Sequence, residues 1–470
     1  LICTSVDSSF VSFCNNMIQP TQKKVPPRPI LTIVQSNTRP LPTHIDAECE
    51  EKQMAIRPER NQQQGPLSPS LSTCTPPADI FSFKLKENEF QSFQLLEELS
   101  NLKDTEVLSQ HGYQKARVIC EHSLQGQVFE AHRREKIQRK RYAIKKVMKR
   151  LHAQCVSMQD EMSFVVEEDI VKESLIQEWL TVTNKPPGDY IAKFVEFFED
   201  ANAFYLVMEY AGDRTLLQFV ESAHRYIKYG KLALNEYQKI VKYLFWQIAV
   251  TINWLHQDMN CCHLDLCLDN VLVRNGSFVH HQDGSISINP KISCKIADFG
   301  CSEVFKCEGN FQCGKTTLTG SYQYCAPEVY QNLLYDARKA DVYQLGCMLF
   351  FMAAGVPVYK YQECAIDTAF LNMVKQNEVS QLIHMYKVEH LVQQKQVQIL
   401  NGMLNLNERQ RCNSVQILTH SYFTKYYSKY HHRLQATSKK QKKINRQNRS
   451  KMSAFPFYCI NEIDSAFLNK

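Results

Sequence analysis

Near the middle of the chain the spacing of apolar residues changes from that of strands to that of helices. Residues 116–120, 127–131, 141–147, 191–198 and 204–210 are short apolar runs. The segment 199–202 suits a hairpin turn between the last two, and the basic run 133–140 suits a solvated turn. Further on, Val241, Leu244, Phe245, Ile248, Ile252 and Leu255 recur every three to four residues, as on the buried face of a helix. Residues 341–354 are apolar nearly all round, which predicts a helix enclosed by a large lobe, and residues 390–420 read as further helices. Strands followed by helices, rather than alternating with them, predict a segregated α+β architecture. The expectation is a small, mostly antiparallel lobe with one helix and a larger helical lobe. No internal repeat is visible at a fixed period.

The two ends differ from this body. Residues 1–80 hold 11 of the chain's 17 prolines, with frequent Gln, Ser and Thr, and are expected to be disordered. Val25-Pro26-Pro27-Arg28-Pro29 suits either a polyproline docking segment or an ordinary linker. Phe90, Phe93, Leu95, Leu96, Leu99 and Leu102 fall near helical spacing, giving a helical lead-in over 81–111. Residues 424–470 carry 11 Lys and Arg against 2 acids, or +9, so the chain's net +7 leaves −2 for residues 1–423. The basicity therefore belongs to the tail, and a basic nucleic-acid-binding body is not implied. Lys439-Lys440-Gln441-Lys442-Lys443 suits an anionic partner or a nuclear address, or simply keeps the tail soluble.

The 18 cysteines are under 4% of the chain and form no CxxC pair, which argues against a disulfide scaffold or zinc ribbon. The start, LICTSVDSSF, lacks a basic stretch and a sustained apolar run, so no secretory leader is expected. The longest apolar run, residues 347–356, is about half a membrane span. These features predict a cytoplasmic or nuclear protein with reduced thiols.

A succession of polar signatures runs through the body. Lys145 ends the strand segment Ala143-Ile144-Lys145. His263-Leu264-Asp265 follows the periodic helix, with Asn270 five residues beyond Asp265. Asp298-Phe299-Gly300, Ala326-Pro327-Glu328, an Asp341 expected to open a helix, and Arg411 come next. Each motif alone is common; the order, spacing and context are not. Together they resemble the eukaryotic protein kinase family of the serine/threonine type, over about residues 112–423.

The resemblance implies a two-lobed kinase fold, with ATP and Mg²⁺ as cofactors and a protein as substrate. Phosphoryl transfer asks for positioning and for neutralisation of a polyphosphate. Lys145 would meet the α- and β-phosphates. Glu178 would fix that lysine, counting back from the strand at Ile191, with Glu173 as its rival. Asp298 and Asn270 would hold Mg²⁺, and Asp265 would orient the substrate hydroxyl and accept its proton. Val128 and Ala143 match the roof of the adenine pocket, Leu272 its floor, Met208 the gatekeeper position, and Glu209 to Ala211 the hinge. Glu328 and Arg411 match a buried ion pair of the helical lobe.

The chain also departs from the pattern. Of the family's three loop glycines only Gly126 is present; Glu121 and Ser123 stand at the other two positions, which weakens the expected ATP cradle. Leu264 replaces an arginine that normally grips a phosphorylated activation loop, so little dependence on Thr316, Thr317 or Thr319 is expected. Cys267 replaces the lysine that neutralises the transferring phosphate, predicting a slow enzyme. Residues 320–324 with Ser321 favour Ser/Thr over Tyr substrates. Cys294, Cys301, Cys307, Cys313 and Cys325 crowd the activation segment, as a redox switch or as ordinary thiols. The 33 residues from Lys145 to Glu178 are long for the family, suggesting a surface loop near 151–170. Two functions follow: a Ser/Thr kinase, or a pseudokinase serving as a nucleotide-binding or scaffold module.

Overall fold

The strand-forming half closes into one antiparallel sheet. The computed structural model describes residues 105–123, 125–133, 140–154, 168–183, 188–305, 311–313, 322–331, 334–358 and 378–428. The head expected at 1–80, most of the lead-in, residues 155–167, Thr316, Thr317, Thr319, Ser321, Cys307 and the basic tail beyond 428 lie outside the described residues.

Residues 105–110 are helical and form the end of the lead-in. The sheet follows, with β1 (Tyr113–Ser123), β2 (Gly126–Arg133), β3 (Arg141–Met148), β4 (Phe194–Glu199) and β5 (Ala203–Glu209) in the order β1-β2-β3-β5-β4. Alternation splits the side chains between two faces. Tyr113, Phe129, Tyr142, Ile144, Tyr205 and Val207 pack with Leu108 on one. Ala143, Val147, Leu206 and Met208 pack with Ile170 on the other.

Besides the helical lead-in at 105–110, the small lobe carries α1 (Lys149–Gln154) and α2 (Ile170–Val182) among the described residues, where one helix is expected. Residues 151–154 of the supposed loop belong to α1, which continues directly from β3. Asp169 caps α2, accepting from the amides of Val171 and Lys172 at 2.9 and 3.2 Å. Ile191 does not open a strand: it bridges Ile296, and the Ala192 amide donates to the Ile296 carbonyl at 2.7 Å. That backbone is spent on the other lobe, so β4 begins only at Phe194.

The helical lobe contains β6 (Arg214–Thr215), α3 (Leu216–Lys228), α4 (Leu234–Asp258), β7 (Cys261–Cys262), β8 (Val271–Arg274), β9 (Phe278–His280), β10 (Ile286–Ile288), β11 (Ser293–Ile296) and β12 (Glu303–Val304). It ends with α5 (Pro327–Gln331), α6 (Ala337–Ala354), α7 (Val379–Met385), α8 (Gln394–Met403) and α9 (Ser414–Thr419). The periodic face of α4 is buried, and α6 is enclosed along most of its length, as its all-round apolar sequence requires. Asp341 does not open α6; Asp336 is the N-cap, and Asp341 lies more than a turn inside. Its carboxylate is engaged elsewhere, accepting from the amides of His263 and Leu264 and from His256 Nε2 at 2.9, 2.7 and 2.8 Å. Arg411 and Glu328 form the expected buried pair, bidentate at 2.5 and 2.8 Å. Among the described residues no helix is long and apolar enough to cross a membrane.

Candidate active site

The loop after β7 is held by the core of the helical lobe. Besides the two amides bound by Asp341, Gln344 on α6 accepts from the Leu266 amide at 3.0 Å and donates to the Leu264 carbonyl at 3.1 Å. Leu264 is thereby kept at φ 65°, a left-handed conformation costly for a branched side chain. The next residue, Asp265, is aimed by Asn270, whose Nδ2 donates to both the Asp265 carbonyl and Oδ2 at 2.8 Å. The amide nitrogen of Asn270 faces Asp265, so its oxygen is the end that would face a cation.

Asp298 also adopts a positive φ of 66°. Beside it, Phe299 is buried with its ring 5.1 Å from that of His263, while His263 Nε2 donates to the Ala297 carbonyl at 3.2 Å. This turns the Asp298 carboxylate toward β3. There Lys145 Nζ lies 2.8 Å from Glu173 Oε2, 3.3 Å from Asp298 Oδ1 and 3.4 Å from Glu168 Oε2. Glu173, not Glu178, is therefore the partner of the lysine. Five helical residues turn the side chain through about 140°, and Glu178 is exposed while Glu173 is fully buried.

One cation among three acids sets the charge states. Burial would lower the Lys145 pKa, but the carboxylates, Asp298 foremost, outweigh it and hold it well above the ordinary value. Burial opposes ionisation of Asp298, yet Lys145 keeps its carboxyl below the usual range. The same ammonium cannot serve all three acids fully. Burial pushes Glu173 up to about 7 against the pull of Lys145, and raises Glu168.

Above this cluster, Val128 and Ala143 are buried on the underside of the sheet, and Ala143 pairs in register with Met208. Leu272 packs against Ala211, Ala192 and Ala297. Glu209 ends β5 with its carboxylate on Lys295 of β11 and on the Lys193 amide, at 3.2 Å for the latter. Ala143 and Met208 thus pack in one cluster, and Leu272 and Ala211 in another. The altered loop is a hairpin whose ladder reaches Ser123 opposite Gly126. Gly126 has a steric reason to be glycine: a Cβ there would lie 1.9 Å from the Lys146 carbonyl oxygen.

A family model described as "Protein kinase domain" matches residues 123–423. The chain belongs to the protein kinase family. Among its relatives, a "Probable serine/threonine-protein kinase PLK" of Dictyostelium discoideum is 27% identical over 234 residues, 50% of this chain and 20% of that protein. "Probable serine/threonine-protein kinase fhkD" of the same organism is 24% identical over 243 residues, 50% of this chain and 28% of the relative. "Probable serine/threonine-protein kinase 2" of Plasmodium falciparum (isolate K1 / Thailand) is 24% identical over 261 residues, 55% of this chain and 44% of the relative. The matched regions span less than half the length of each of these relatives.

Within this kinase domain, sequence reasoning missed Glu168 and Lys295. Neither belongs to a recognisable motif, and each reaches its partner only through the fold. A signal existed for Glu173, because Asp169 reads as a helix N-cap and fixes the phase of α2.

Proposed function

We propose that residues 112–423 form a slow serine/threonine kinase domain that transfers the γ-phosphoryl group of ATP to a protein hydroxyl. The observation that carries this reading is the convergence of Lys145, Glu173 and Asp298 in a buried cluster, with Asp265 and Asn270 locked together in the neighbouring loop. Lys145 would neutralise the α- and β-phosphates, with Glu173 holding it in place. Asn270 and Asp298 fit Mg²⁺: both offer hard oxygen donors, and Asp298 is held ionised. The metal would supply neutralisation of charge on the phosphates. Asp265 would orient the attacking hydroxyl and take its proton. Val128, Ala143, Leu272 and Met208 would enclose the adenine, and the hinge Glu209 to Ala211 would bond its edge.

Cys267, buried where the family has a lysine, offers no positive charge to the transferring group. Losing one preorganised donor costs on the order of 10²–10³ in kcat, against roughly 1–100 s⁻¹ for kinases. A second reading, a nucleotide-binding or scaffold pseudokinase, draws support from the closed hairpin at Ser123 and Gly126. The full-length protein incubated with labelled ATP, Mg²⁺ and a basic protein substrate separates the two. Transfer abolished by Asp265→Asn supports the enzyme. Absence of transfer supports the pseudokinase, a nucleotide-binding one where Mg-ATP raises the melting temperature and a scaffold where it does not.

A further inference from the structure

Glu168 sits beside Lys145 although phosphoryl transfer has no evident need of it. It precedes the N-cap of α2, its side chain is 16% exposed, and Oε2 lies 3.4 Å from Lys145 Nζ. Its aliphatic part lies along Gly300, where a Cβ would come within 3.1 Å of the Glu168 Cγ. The same ammonium reaches Glu173 at 2.8 Å and Asp298 at 3.3 Å. A lysine has three N–H donors and no more. In this structure all three have a carboxylate within reach, so Lys145 keeps none for a phosphate.

We propose that Glu168 is an internal competitor for nucleotide phosphate, occupying the place on Lys145 that a nucleoside di- or triphosphate must take. The inference rests on the reading of this cluster as a nucleotide site. Glu173 and Asp298 have roles there that survive nucleotide binding; Glu168 has none and must give way. Repulsion acts in the same direction. Where Glu168 is ionised, its carboxylate beside Asp298 repels an arriving polyphosphate in a partly buried site, where screening by water is weak. The hairpin at Ser123 and Gly126 already spends backbone groups on its own ladder. Discrimination therefore falls on the phosphates and not on the nucleoside, since an uncharged adenosine has nothing to contest with Glu168.

Titration calorimetry on the full-length protein at fixed Mg²⁺ tests this, with ATP and adenosine as probes and Glu168→Gln and Glu168→Ala as variants. Gln keeps the side-chain volume against Gly300, so a gain shared by both variants reports charge. Both should bind ATP on the order of tenfold more tightly, the effect of removing one nearby like charge, while adenosine affinity changes less than about twofold. Unchanged or weaker ATP binding overturns the proposal. So does a parallel shift of ATP and adenosine, which would mark a reshaped pocket. If wild type and both variants bind neither probe, the nucleotide reading itself falls, and this inference with it.

Discussion

Lys145 owes its position to an acid that residue counting ranks second. Glu178 fits the distance from the next apolar run, but only the rotational phase of α2 distinguishes it from Glu173, and that phase is set by the Asp169 cap and by burial of Ile176 and Leu180. Glu173→Gln should lower phosphoryl transfer on the order of 10²-fold, the scale of a misplaced catalytic group, whereas Glu178→Gln should leave kcat and KM within about twofold. Steady-state kinetics with ATP varied reads both, and equal losses would contradict the assignment. Asp265 and Asn270, by contrast, are named by the resemblance that the succession of motifs carries. Five residues within one short loop leave little freedom, and the two side chains meet at 2.8 Å.

Elements meet through groups that no motif announces. His224 on α3 is buried against the end of α6, where its Nε2 donates to the Met352 carbonyl at 3.1 Å and Tyr237 on α4 donates to the same carbonyl at 2.7 Å. The residue after α6 is Gly355, at φ 74°, and a Cβ there would stand 2.7 Å from His224 Nδ1. Burial pushes the His224 pKa down to about 4, from about 6.5 for an exposed histidine. A depressed histidine favours the folded state only while neutral. Its stabilisation is complete above about pH 6.5 and is lost as the pH falls toward 4. At ~1.4 kcal/mol per unit the loss is on the order of 3 kcal/mol. Urea denaturation at pH 7 and pH 4 should show His224→Gln losing less stability between the two by about that amount; an unchanged loss would show that His224 does not govern this window. Helix α2 makes a further contact of this kind, Lys172 to Glu303 on β12 at 2.9 Å, which ties the helix bearing Glu173 to the segment after Gly300.

At the scale of the molecule, the two lobes are joined by backbone and charge near the hinge: Ala192 to Ile296, and Glu209 to Lys295. The helical lobe is held further by Arg411, which grips Glu328 and also donates to the carbonyls of Asn405 and Lys339 at 2.9 and 2.7 Å. Arg411→Ala would leave the Glu328 carboxylate buried without its cation, at a cost of about 3–5 kcal/mol. The double variant Glu328→Gln/Arg411→Met should recover much of that loss in chemical denaturation; a double variant no more stable than Arg411→Ala would argue against the buried-charge explanation. By itself the sequence determined the order of strands before helices, the succession of signatures from Lys145 to Arg411, and the concentration of charge in the tail. Each of these is local, fixed by the period of apolar residues or by the spacing within a single loop. The tertiary structure alone decided which glutamate holds Lys145, that Glu168 stands 3.4 Å from the same ammonium, that Glu209 is tied to Lys295, and that Gly126 answers to the Lys146 carbonyl. Those outcomes depend on helix phase and on approaches between residues far apart in the chain, and only the packed fold brings such groups within hydrogen-bond distance.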